Sequence, residues 1–88
     1  MKIKEGFVLR RVLDEAIVVA SGEASKNFHG MIKLNETAAV IWELIEAGNS
    51  EEEVAKALSE KYEISLEQAA EDSKAMIAVM AQKGILEA

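Results

Sequence analysis

The segment MIKLNETAAVIWELIEAG, Met31 to Gly48, changes its period midway and so decides the fold. Met31 to Leu34 is a short apolar run whose only charge is Lys33, and it reads as a strand. Asn35 comes next, a good N-cap because its side-chain oxygen can accept an unpaired amide two or three residues on. Leu34, Ala38, Ile41, Trp42 and Ile45 then recur at helical spacing, which puts Trp42 in the core. Gly48 supplies the left-handed stop. A strand therefore runs into a helix with no linker between them.

Upstream, Phe7 to Leu13 and Ala16 to Ala20 are rich in β-branched and large apolar residues and read as a hairpin joined at Asp14-Glu15. Ser21 to Gly30 is small, polar and turn-forming, so it reads as a loop before the third strand. Downstream, Ser50 and Glu53 form a capping box that opens a second helix with Val54, Leu58 and Tyr62 on one face. Ser65 and Gln68 form another, opening a third helix from Leu66 to about Lys83. Gly84 ends it, and Ile85-Leu86 can fold back on the core. The expected architecture is α+β, a winged helix-turn-helix-like single domain over residues 1–88, with a three-stranded antiparallel sheet followed by three helices.

Eighty-eight residues leave no room for a second core. The absence of cysteine excludes disulfides, thiolate nucleophiles, iron–sulfur ligation and thiolate zinc sites together. The single histidine, His29, has no carboxylate at ligand spacing, so neither metal nor cofactor is expected. No phosphate loop, nucleophile elbow or paired acid–base carboxylates are present, and no catalytic residues are assigned. Glu51-Glu52-Glu53 occupies a first helical turn, where the macrodipole favours negative charge. The net charge of −6 disfavours nucleic acid, whose phosphates need clustered Lys and Arg. Apolar runs such as Ala16 to Ala20 are far below the roughly 20 residues of a membrane span. With no signal-like N-terminus either, a cytoplasmic protein is expected.

The third helix carries more apolar surface than one core requires. At about 100° per residue, Leu66, Ala70, Ser73, Ile77 and Met80 form one stripe. Met76 and Val79 lie beside it, bracketed by Asp72 and Lys83. The arc spans roughly 200°, against the 100° or so of an ordinary amphipathic helix. Fuller burial in a small domain is one reading, and a ligand groove along the Met76–Val79 flank is the other, for which the adaptable methionine thioether is suited. A three-stranded sheet also leaves free edges onto which an extended peptide can add.

The ordered stretch from Asn27-Phe28-His29-Gly30 through Leu34-Asn35-Glu36-Thr37-Ala38 to Trp42-Glu43-Leu44 resembles the PqqD-like family. Gly48, Ser50 to Val54, Leu58, Tyr62, Asp72 and Gly84-Ile85-Leu86 extend the resemblance over nearly the whole chain. It implies a RiPP recognition element, a winged-helix peptide chaperone that binds the leader of a ribosomally made precursor peptide. Its partners would be that precursor and a modifying enzyme, a radical S-adenosylmethionine (radical SAM) protein in many members, as in pyrroloquinoline quinone (PQQ) synthesis. Carried over, the peptide-binding residues are Met31, Ile32, Lys33 and Leu34 on the strand edge, with Asp72, Met76, Val79 and Lys83 on the facing helix. Ser73 stands where relatives often carry a larger aliphatic residue, and Met76 where an aromatic is common.

Two alternatives belong to other classes. One is a winged-helix interaction or regulatory module without a leader peptide. The other is a DNA-binding regulator, disfavoured because the third helix offers only Lys74 and Lys83 beside Glu67, Glu71 and Asp72. The Ser21–Gly30 loop also leaves room for a homodimer by hairpin exchange.

Overall fold

A computed structural model describes residues 1–22, 24–27 and 31–87. The elements run β1 (Lys2–Ile3), β2 (Phe7–Val12), β3 (Glu15–Ala20), α1 (Ala24–Asn27), β4 (Met31–Leu34), α2 (Glu36–Glu46), α3 (Glu51–Tyr62), α4 (Leu66–Gln82) and β5 (Leu86–Glu87). The main sheet is antiparallel in the order β2-β3-β4, and the three long helices follow it, as the periodicity implies. Glu23, Phe28, His29, Gly30 and Ala88 lie outside the described residues, and with them part of the loop expected over Ser21–Gly30.

The hairpin turns one residue earlier than the sequence suggested. Val12 pairs with Glu15, so the loop is Leu13-Asp14 and Leu13 leaves the strand with φ +57°. This register sets Phe7, Leu9 and Arg11 opposite Ala20, Val18 and Ala16, placing buried Phe7, Val18 and Ala16 on one face. A slip by one residue would turn all of them to the other face. The loop before β4 also contains the single-turn α1.

Two short strands escaped the sequence reading. β1 pairs antiparallel with β5, joining the two chain ends, and the Lys4 amide donates to the Ile85 carbonyl at 2.8 Å. Two residues are too few to show a period, so only the pairing reveals them. Ile85 folds onto the core as expected, essentially inaccessible.

Each long helix starts on the N-cap its sequence announces. At α4 only the Ser65 half of the expected box forms, because the Gln68 side chain donates to Asp72 instead. The Ala38 amide donates to Asn35 Oδ1 at 2.8 Å, and the Gln68 amide to Ser65 Oγ at 3.0 Å. At α3 the box is reciprocal, with the Glu53 amide donating to Ser50 Oγ and the Ser50 amide to Glu53 Oε1. Trp42, Ile41, Ile45, Val54, Leu58 and Met80 form the centre of the core with Val18 of the sheet.

Burial on α4 corrects the expected stripe. Leu66 and Ala70 are exposed, and the buried positions are Ala69, Ser73 and Met80, with Met76 and Ile77 half-buried. The buried line therefore lies between two apolar flanks. One carries Leu66 and Ala70, the other Met76 and Val79. That division explains why the apolar arc is wider than one core requires.

An ion-pair cluster ties the hairpin to α2. Arg11 donates to Glu36 at 3.0 and 3.4 Å and to Glu43 at 2.8 Å. These residues stand 25 and 32 positions apart, so no local pattern announces them. Hydrogen bonds to Glu43 and then Glu36 raise the Arg11 pKa above its already high ordinary value, so it stays charged.

Candidate peptide-binding groove

Among the described residues β4 pairs with β3 alone, which leaves the amides and carbonyls of its other edge without a strand partner. Its side chains alternate. Ile32 and Leu34 are half-buried against the core, while Met31 and Lys33 are exposed. Lys33 Nζ lies 3.6 Å from Glu15 Oε1 across the neighbouring strand. Because Asn35 caps α2 directly after Leu34, the first turns of α2 begin at the end of this free edge.

α2 packs against both β4 and α4. Between its first turns and α4 lies a hollow of about 300 Å³, lined by Thr37, Ala38 and Ile41 on one side and Asp72, Ala75 and Met76 on the other. Asp72 is half-buried and accepts a hydrogen bond from Gln68 Nε2 at 3.0 Å. At about 100° per residue, Asp72, Met76, Val79 and Lys83 fall within roughly 60° of arc. The eleven steps from Asp72 to Lys83 cover about 16 Å along the axis, the length of roughly five extended residues.

Of the helix residues expected from the sequence, Asp72 and Met76 line the hollow itself. Val79, 42% exposed, and Lys83, the exposed C-cap, continue the same line toward the end of α4 and do not line it. Thr37, Ala38, Ile41 and Ala75 were not foreseen as lining. Ala38 and Ile41 read correctly as inward-facing, but periodicity cannot say which inward-facing residues floor a cleft. The signal that was available is Asn35, because a capped helix starting at a free strand edge places its first turn at that edge.

A larger hollow, about 690 Å³, lies on the other flank of α4, between α4 and α3. Ala55, Leu66 and Ala70 give it an apolar lining, and Glu51, Glu52, Glu67 and Glu71 its acidic members. It is bounded by two helices whose backbone bonds are internally satisfied, so it offers no edge for strand addition. The smaller hollow reaches Asn35, the residue directly after β4, although no β4 residue lines it. Among the described residues no cluster of three metal-ligating side chains occurs, and no helix is long and apolar enough to cross a membrane.

The fold has counterparts among known proteins. The chain is similar to the structure described as TbiB1 in complex with the TbiA(beta) leader peptide, with a TM-score of 0.81 and 24% identity over 99% of this chain and 95% of that one. It is also similar to lasso peptide synthetase B1 complexed with the leader peptide, with a TM-score of 0.76 and 20% identity over 94% and 92% of the two chains. No curated protein matches the sequence. Residues 15–86 match the family of coenzyme PQQ synthesis protein D, and the chain belongs to this PqqD family.

Proposed function

We propose that this protein is a non-catalytic adaptor that binds the leader segment of a ribosomally made precursor peptide and presents it to a peptide-modifying enzyme. The observation that carries the reading is the free edge of β4, which leads directly into an α2 whose first turns share a hollow with Asp72 and Met76. The leader adds as a strand along Met31–Leu34 through backbone hydrogen bonds. Its apolar side chains meet Met76 and Val79, and Asp72 and Lys83 set its register by charge. The two structurally similar proteins both hold leader peptides, which supports the same use of this fold. The enzyme served is a radical SAM protein in a PQQ-like pathway, and the setting is cytoplasmic. DNA binding draws less support, because two carboxylates already hold the guanidinium of Arg11 on the wing-like hairpin.

Amide chemical-shift titration with the leader of the cognate precursor tests this. Shifts should concentrate at Met31–Leu34 and along Asp72–Lys83. Met76→Asp should weaken binding by roughly tenfold or more, since it sets a charge against apolar leader side chains, while leaving the amide spectrum folded. Shifts confined to other surfaces, or unchanged affinity in that variant, would refute the groove.

A further inference from the structure

The sheet is apolar on both faces, and the helices cover only one. On the outer face, Val8, Val19 and Met31 form one cross-strand row, Arg10, Ile17 and Lys33 the next, and Val12 pairs with Glu15 at the end. An antiparallel sheet with one solvated face ordinarily alternates apolar-in with polar-out. Here Val12 is 54% exposed and Met31 61%, and Val8 is also exposed. The hairpin tip departs from the rule further. Leu13 is 97% exposed and holds φ +57°, a conformation that favours glycine, asparagine or aspartate and costs a leucine strain. Neither packing nor turn chemistry accounts for a leucine there.

We propose that this outer face, with Leu13 at its tip, docks the peptide-modifying enzyme through an apolar hollow that carries a carboxylate opposite Arg10; the proposal rests on the adaptor reading above. Charge selects the complement. Arg10 lies between Val8 and Val12 on the exposed side of β2, and among the described residues no carboxylate is within ion-pair distance of it. Lys33, in contrast, is matched by Glu15.

Area argues against a second copy of the chain. Two strands of six residues and one of four present at most roughly 14 by 20 Å, about 300 Å². A stable interface takes about 800 Å² per partner. Two copies would also each bring a net charge of −6. A larger protein that wraps the projecting tip reaches beyond the face and gains the missing area. A leader added at the β4 edge lies in the plane of the sheet, so both partners can be held at once.

The test mixes the full ¹⁵N-labelled chain with the enzyme that modifies its precursor peptide. Amide broadening should fall on Val8, Arg10, Val12, Leu13 and Val19. Val12→Glu and Leu13→Asp, both at exposed sites, and Arg10→Glu should each weaken enzyme binding about tenfold or more with leader affinity unchanged. Wild-type enzyme affinity in all three variants, broadening on the helices instead, or no binding by an enzyme that modifies the precursor would overturn the proposal. So would a concentration-dependent dimer that Val12→Glu dissociates, which would give the face to a second copy. Failure of the adaptor reading is distinguishable, because it appears as an absent leader titration in the sample without enzyme.

Discussion

Replacing Ser73 by alanine should make the protein more stable. Ser73 lies on the buried line of α4 with no accessible surface, and its Oγ has no hydrogen-bond partner among the described residues. A buried hydroxyl left unsatisfied costs about 1–3 kcal/mol relative to one that stays bonded. Removing a single oxygen opens a space smaller than a methyl group, and at about 24 cal/mol per Å³ its cost is a few tenths of a kcal/mol. Alanine also exceeds serine in helix propensity by roughly half a kcal/mol. The net expectation is a gain of about 1–3 kcal/mol. For a domain of this size that corresponds to roughly 4–24 °C in Tm. Thermal and urea unfolding followed by circular dichroism would measure it, with an unchanged urea slope showing that the unfolded state is the same. Leader affinity should not move, because the side chain is fully buried and lines neither hollow. A lower Tm, or unchanged stability, would show that the hydroxyl is bonded in solution and would refute the reasoning.

Three further substitutions probe the backbone and the caps. Gly6 has φ +97°, and a Cβ there would lie 2.7 Å from the Ser21 carbonyl oxygen and 2.8 Å from Ala24 Cβ. Gly6→Ala should therefore cost at least about 2 kcal/mol in chemical denaturation, and a neutral result would mean that the β2–α1 contact is looser than described. Leu13→Gly relieves about 1–2 kcal/mol of left-handed strain against roughly 0.5–1 kcal/mol of added chain entropy, a net gain near 0.5 kcal/mol. A loss on urea unfolding would contradict the positive φ. Ser50→Ala removes the acceptor of the Glu53 amide and should cost about 1 kcal/mol, read as a lower urea midpoint, whereas an unchanged midpoint would show the box to be redundant.

The sequence by itself determined the element order and the helix starts, because both rest on local chemistry. Asn35, Ser50 and Ser65 cap the helices they precede, and Gly48 and Gly84 take the positive φ expected of them. It also determined the family, since the motif from Leu34 to Leu44 and the residues that follow keep their order along the chain. Of the proposed binding surface, it supplied the short strand that became a free edge and the excess apolar arc on α4. Tertiary structure alone decided how that arc is divided. Ala69, not Leu66 or Ala70, turned inward, because α3 packs on one flank of α4 and α2 on the other, and a 100° step cannot say where two neighbours will sit. The β1–β5 pair and the Arg11–Glu36–Glu43 cluster join residues far apart in the chain, and only the folded backbone brings them together. The outer sheet face belongs to the same class. Each of its residues looks like an ordinary strand residue in sequence, and the register of three strands together with the side taken by the helices leaves them uncovered.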